Sequence, residues 1–245
     1  MSPKSKASDR RLYPKPWDPF SLVLDRLRGE LERHLGLQPA TTKAAATVLD
    51  FGCGDKPYAP LALKAGFQKY VGADIAENGA ADVHVREDGT VPLPDGSVDA
   101  ILSTQVLEHV GDPQLYLSEC YRLLRSGGSL FLSTHGVWLY HPIPTDFWRW
   151  TGPGLQRIVT KAGFRINEQR GILGIIATIG QITELAFLIA LRRLARVPFG
   201  RLPVMILQSL AAIFFRALIA TLDTLSRESE LKNIACVVIV SATKP

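Results

Sequence analysis

Short apolar runs alternate with stretches of helical periodicity along most of this chain. Residues 47–50, 69–74 and 98–104 are runs of buried-strand length, and residues 82–86 alternate polar and apolar positions as a half-buried strand does. Residues 129–133 and 164–170 predict two more strands, and residues 233–242 form a continuous β-branched run suited to a strand covered on both faces. Leu22, Leu24, Leu27, Leu31 and Leu35 make a helical stripe reaching about His34, with Asp18-Pro19 at its start. Residues 58–65, 113–124 and 151–162 predict further helices. Gly127-Gly128 lie just past the second of these; Thr151 caps the third and Gly163 stops it. Residues 76–81 are too short and glycine-bearing for a helix. Strands alternating with helices imply an α/β fold, a mostly parallel seven-stranded sheet with helices on both faces.

An apolar insert precedes the last strand. Residues 172–191 and 203–222 are two twenty-residue stretches with few polar positions, separated by a segment carrying Arg192, Arg193, Arg196 and Arg201. At about 1.5 Å per residue, either stretch reaches across a bilayer core. A hairpin with both ends in the cytoplasm would carry those arginines to the far side, against the positive-inside tendency. An in-plane hairpin lets them meet lipid phosphates instead. Packing as a lid or in a homodimer is the competing reading. The polar positions Gln181 with Glu184, and Gln208 with Arg216, form narrow stripes able to face each other or the enzyme. A parallel sixth strand ends at the sheet's carboxyl edge, where ligands bind, so the insert leaves from the active-site side. The domain reading is a mobile basic tail over 1–16 and one domain over 17–245, with the helical insert at 171–228.

Composition narrows the function. The net charge of +5 is modest, and the basic residues lie in the tail and insert rather than among aromatics, so nucleic acid is not an expected partner. Cys53, Cys120 and Cys236 are odd in number and far apart, which fits neither a disulfide framework nor a metal motif; no metal is expected. No apolar signal core follows the N-terminal basic residues, so the expected location is the cytoplasm, on the inner membrane face if the insert docks there.

The chemistry is concentrated where Val48-Leu49-Asp50-Phe51 runs into Gly52-Cys53-Gly54. A buried strand entering a glycine loop is expected to let a nucleotide-like ligand approach the loop amides. Position 57 is Pro57, where a dinucleotide fingerprint has its third glycine, so the NAD reading is weak. Asp74 ends the second strand and is placed to accept two ribose hydroxyls. With Leu93-Pro94-Asp95-Gly96, Gln105-Val106-Leu107-Glu108-His109, Leu124-Arg125-Ser126-Gly127-Gly128 and the 141–151 segment, these residues resemble a class I S-adenosylmethionine-dependent methyltransferase of the type 11-like branch. The resemblance covers roughly 47–170 and resumes in the last strand. It implies a Rossmann-like sheet whose last strand runs antiparallel between the fifth and sixth. Lys56 and Pro57 depart from the commoner pattern, which places another glycine there.

The resemblance implies S-adenosyl-L-methionine as methyl donor. Asp50, Gly52, Cys53, Gly54, Asp74, Ile75, Asp88 and Gln105 are the expected donor-binding residues. Asp50 orders the loop or reaches the donor's amino group, Asp88 approaches the adenine amine, and Gln105 edges the methionine portion. His109, His135 and Asp146 are the candidate catalytic residues; His141, Arg149 and Trp150 are the candidate acceptor contacts. The structural readings stand beside these: packed histidines, a turn at Asp88, and an Asp146–Arg149 pair that pins its loop. Transfer from a sulfonium needs positioning and dryness more than a base. The expected activity is methylation, at oxygen, of a small-molecule, glycan or lipid-linked acceptor near the membrane surface. The competing class is a non-catalytic module of the same fold that binds a membrane or partner through the insert.

Overall fold

The computed structural model describes residues 10–37, 46–142, 144–194, 201–227, 231 and 233–245. In chain order the elements are α1 (Ser21–Leu37), β1 (Thr47–Phe51), α2 (Ala59–Lys64), β2 (Lys69–Asp74), β3 (Val83–His84) and β4 (Val98–Thr104). A 3-10 turn, Leu107–His109, leads to α3 (Pro113–Leu123), β5 (Leu124–His135), α4 (Gly152–Lys161) and β6 (Arg165–Ile172). The insert is α5 (Ile175–Leu194) and α6 (Arg201–Asp223), followed by β7 (Val237–Thr243).

The seven strands lie in the order β3-β2-β1-β4-β5-β7-β6. Pairing is parallel except around β7, which runs antiparallel to both β5 and β6. Period-two alternation sorts the side chains into two layers. Val48, Leu102, Phe131 and Ile239 face α1, α2 and the insert, while Leu49, Ile101, Leu130 and Val240 face α3 and α4. The helical stripe of α1 buries Leu22, Leu27, Leu31 and Leu35. Leu24 is only partly buried, and Val23 takes its place in the core.

Three boundaries differ from the pattern-based expectation. The glycine pair 127–128 does not merely stop α3. The chain turns extended at Leu124, pairs with Val98, and resumes regular pairing at Ser129 after a register shift. Gly127 at φ +76 and Gly128, whose added Cβ would lie 2.8 Å from Arg125 O, make that irregularity possible. The third strand is paired over two residues only, because the chain turns back as Arg86 N–H bonds Thr90 O. The last strand starts at Val237, since Ala235 and Cys236 bond instead to Val137, Gly136 and Leu173.

Of the expected tail over 1–16, residues 10–16 are described: Leu12 is buried, Arg10 pairs with Asp18 and Arg28 donates to Leu12 O, while Arg10, Arg11, Tyr13, Lys15 and Pro16 are exposed. The expectation for residues 1–9 lies outside the described residues.

The insert is tied to α1 by its polar stripes. Arg26 pairs with Asp223 at 2.6 Å and Arg216 with Asp25 at 2.8 Å. Gln181 Nε2 donates to Pro19 O at 3.0 Å and to Glu184 Oε2 at 3.0 Å. Burial pushes the Glu184 carboxyl up to about 7. Both helices are long and apolar enough to cross a membrane by length and composition, with 33% and 11% of the two spans buried. Ile179, Met205, Ile206, Leu210 and Phe214 are among the exposed apolar side chains they carry.

Asp223 anchors the end of α6. Its Oδ1 accepts from Gly174 N–H at 2.9 Å and its Oδ2 faces Arg26. Asp223→Ala leaves a buried N–H without a partner, so it should cost about 1–3 kcal/mol. Hydrogen exchange should locate the loss over 175–223 while β1, β4 and β5 keep their protection. Uniform loss of protection across the sheet would contradict this local anchoring.

Candidate active site

At the carboxyl edge of β1 the chain turns through a glycine loop. Gly52 has φ +84 and Gly54 φ +52. A Cβ at Gly52 would lie 2.4 Å from Val106 Cγ2, so the loop's path depends on that glycine. The N–H groups of Gly52 and Cys53 both donate to Ala73 O, at 2.8 and 3.1 Å. Gly54 N–H donates to Asp74 Oδ2 at 2.7 Å. The sequence reading expected these amides to face a ligand; they face β2 instead. The end of β2 offers a carbonyl and a carboxylate, and backbone donors take the partners at hand. The loop therefore presents no amide cradle for a phosphate.

Lys56 holds the position where a glycine was the commoner expectation, and it adopts the left-handed φ of +55 itself. Its ammonium pairs with Asp82, whose other oxygen accepts from Gly72 N–H at 2.8 Å. This pair fastens the loop's far side to the β2–β3 connection.

A cleft of ≈ 340 Å³ opens beside the loop, lined by Gly52, Cys53, Gly54, Tyr58, Asn78, Thr104, Gln105 and Arg11 among others. Asp74 borders it through Gly54 and Asn78. Its carboxylate accepts from Gly54 N–H, Asn78 Nδ2 and Ile75 N–H, at 2.7, 2.8 and 2.8 Å. A carboxylate has about four acceptor sites, so two ribose hydroxyls fit only if Asn78 swings away. Ile75, just past β2, is exposed. Gln105 sits at φ +56, donates to Ser133 Oγ at 3.2 Å, and leaves a buried Oε1 without a partner. Asp50 is buried under the loop. Its Oδ2 accepts from Tyr70 Oη, its Oδ1 has no partner, and burial pushes its carboxyl up to about 6. Asp88 is not among the residues lining the cleft; it is exposed in a turn where it accepts from Thr90 N–H and Oγ1.

The remaining candidates converge where β4 and β5 end. Glu108 is fully buried; its Oε2 accepts from Thr134 Oγ1 at 2.9 Å and its Oε1 carries no hydrogen bond. His135 Nε2 stands 3.4 Å from Glu108 Oε1 and His109 Nε2 stands 4.0 Å from it. The His135 ring stacks on Trp138, at 5.4 Å between centroids and 12° between planes. His141 meets both other rings edge-on, at 4.8 and 5.0 Å. Burial lowers His135 to about 3, leaving it a neutral and weak proton acceptor at pH 7.

Asp146 and Arg149 are engaged with each other. Arg149 grips both Asp146 oxygens at 2.6 and 2.7 Å and donates to the carbonyls of Trp138, Leu139 and Trp148. The guanidinium holds the Asp146 carboxyl well below the ordinary carboxylate range. This pair ties Trp138 and Leu139 to the 146–149 turn. Trp150 N–H donates to His135 O at 2.9 Å, which secures the same loop to β5.

Several residues at the site were not among the sequence candidates. Arg11 reaches the cleft from the N-terminal segment, and its charge acts on Asp50. Asn78 and Asp82 brace the loop. Nothing in the sequence spacing from Lys56 to Asp82 identifies their pairing in advance.

A family model described as a methyltransferase domain matches residues 23–169. A probable S-adenosylmethionine-dependent methyltransferase of Mycolicibacterium smegmatis is 30% identical over 144 residues, 53% of this chain and 56% of that protein. A ubiquinone biosynthesis O-methyltransferase of Methylococcus capsulatus is 33% identical over 132 residues, 48% of this chain and 55% of that one. The chain thus spans about half the length of these curated relatives. Among solved structures, the putative methyltransferase bound to the Haloferax volcanii Trm112 activator superposes with a TM-score of 0.56 at 16% identity, covering 97% of each chain. A Haemonchus contortus N-methyltransferase solved with S-adenosylhomocysteine gives 0.55 at 16% identity, over 98% of this chain and 60% of that one. At such identities the shared property is the fold.

Asp50 generates a pH prediction. Its folded-state pKa of about 6 lies above the ordinary 3.8, so the native state holds this proton more tightly than the unfolded chain. Its contribution to stability is present below about pH 4 and is lost as pH rises through 6. The two-unit shift corresponds to roughly 3 kcal/mol. Asp50→Asn should flatten the stability profile between pH 4 and 6.5 in urea titrations. An unchanged slope would mean that Asp50 titrates normally.

Proposed function

The chain belongs to the S-adenosylmethionine-dependent methyltransferases, and on that premise we propose that it methylates an oxygen of a small-molecule or lipid-linked acceptor at a membrane surface. The observation that carries the donor half is the loop whose three amides are all turned inward. Such a loop suits a nucleoside donor without phosphates. The unpartnered oxygens of Gln105 and Asp50 suit a ligand with donor groups and positive charge. The residues present therefore fit S-adenosylmethionine.

In this reading Asp74 holds the ribose, displacing the Asn78 amide that occupies it otherwise. Gln105 lies along the methionine portion. Arg11 pairs with the donor carboxylate, closing the cleft from the N-terminal segment. Cys53 is a wall rather than a nucleophile, because burial pushes its thiol up to about 12. When bound, S-adenosylmethionine would supply an activated methyl group for in-line transfer to the acceptor oxygen, leaving a neutral thioether while the hydroxyl proton passes to solvent. The protein contributes alignment and exclusion of water. The acceptor enters beside Gln105, over the cluster of Glu108, His109, His135 and His141. Asp146 and Arg149 act as positioning residues, since each is saturated by the other and by loop carbonyls. Methylation at oxygen is favoured by the likeness to the ubiquinone-pathway O-methyltransferase.

The insert supports a lipid-linked acceptor. It leaves β6 at Ile172 and returns to β7 at Val237, and both residues lie at the end of β5 that carries His135. Its outer faces are apolar and exposed, with Arg192 and Arg193 near the end of α5. A hairpin lying in the headgroup region would bring this edge of the sheet to the acceptor.

Radiolabelled methyl transfer into host extract, followed by solvent partition, tests the activity. Counts dependent on Asp74, absent in Asp74→Ala, should enter the organic phase. Aqueous counts would retain the enzyme and remove the lipid-linked acceptor. No transfer into any fraction with membranes present would favour the non-catalytic module.

Flotation tests the surface separately. The full chain should rise with vesicles containing anionic lipid, and the paired change Leu210→Glu, Phe214→Glu should leave it at the bottom. A wild-type chain that stays in solution as a dimer would assign the same faces to a second copy.

A further inference from the structure

We propose that Glu108, His135 and His141, with His109 beside them, form a binding site for a divalent transition metal of the zinc class. One ligand atom from each of Glu108, His135 and His141 lies within 4.8 Å of the others. Glu108 Oε1 and His135 Nε2 are 3.4 Å apart. Two ligands on a tetrahedral zinc ion, each about 2.0–2.1 Å from it, stand roughly 3.3 Å apart. That edge of the site is already at ligand spacing, and the His141 edge closes by a small ring movement.

Burial supplies the second argument. Glu108 is fully buried, and its Oε1 has no hydrogen bond although it faces two imidazoles. Buried carboxylates are paired or bind metals. His109 Nδ1 meets Thr145 O, which leaves its Nε2 lone pair facing Glu108; with His135 in the tautomer that puts its lone pair on Nε2, a cation would satisfy Oε1 and both rings.

The surroundings supply the third. Metal-bound histidines usually fix their second nitrogen on a carbonyl or carboxylate. His109 Nδ1 meets Thr145 O, which leaves Nε2 directed toward Glu108. His141 Nδ1 stands 3.4 Å from Asp146 Oδ2 without hydrogen-bonding it, so this ring too has a nitrogen unpartnered beside the cluster. Thr134 Oγ1 holds the other Glu108 oxygen, and Trp138 fixes the His135 ring plane. Imidazole and carboxylate together, with no thiolate, suit zinc or a similar borderline divalent ion.

The site itself stands apart from the methyl-transfer reading. Its use rests on that reading: a metal three residues beyond Gln105 would bind an acceptor hydroxyl and lower its pKa.

The test is metal binding by the full-length chain after treatment with a chelator. Zinc should bind at one ion per chain by calorimetry and elemental analysis, and should raise the melting temperature. Cobalt(II) in its place should give visible bands typical of few-coordinate nitrogen and oxygen ligation. Glu108→Gln, which keeps the Thr134 bond, and His141→Ala should each weaken binding by about 100-fold or more. His84→Ala, an exposed histidine elsewhere, should leave it unchanged. Circular dichroism and donor binding show separately that each variant is folded. Zinc binding unaffected by Glu108→Gln and His141→Ala, or no stoichiometric binding by the wild type, would overturn the site. Either result would leave the methyl-transfer assay untouched.

Discussion

The site depends on one carbonyl. Ala73 O, at the end of β2, accepts the N–H groups of both Gly52 and Cys53, and the next residue's carboxylate accepts that of Gly54. A parallel neighbour strand thereby holds the glycine loop by its donors. The loop is left with carbonyls and side chains to offer, which is a surface for a cation or a neutral nucleoside rather than for a phosphate. The positive φ of Gly52, the nearness of Val106 and the left-handed Lys56 follow from keeping those donors turned inward. Asp82 completes the arrangement by pairing with Lys56 while capping Gly72 N–H.

The fold was legible because alternation is a strong signal where two layers cover a sheet. The bounds of β2 and β4 read directly from their apolar runs. The boundaries that moved belong to places where backbone geometry overrides composition. Gly127 and Gly128 look like a helix stop, yet they serve a bulge inside β5. Residues 82–86 alternate well, yet a turn closed by Thr90 ends their pairing after two residues.

The site was legible to a different depth on its two sides. Gly52, Gly54, Asp74 and Gln105 are fixed by local chain direction, so motif spacing places them at the cleft edge. Arg11 and Asn78 arrive through packing of distant segments, which spacing does not encode. The same holds for the histidines. His109, His135 and His141 come from three different stretches of chain, and only the convergence of β4, β5 and the following loop brings them onto one buried carboxylate. Asp88 lies in an exposed turn, where the adjacent Thr90 hydroxyl and amide hydrogen-bond it locally.

The insert and the cleft share a mechanical neighbour. Arg26 and Asp25 of α1 grip α6, and the segment leading into α1 carries Arg11 to the glycine loop. Gln181 of α5 holds Pro19 in that same segment. One short segment therefore touches both the apolar hairpin and the cleft. Free-energy linkage between two sites is reciprocal. Any preference that an occupied hairpin has for the position of Arg11 returns, by the same factor, as a change in the hairpin's affinity when the cleft fills.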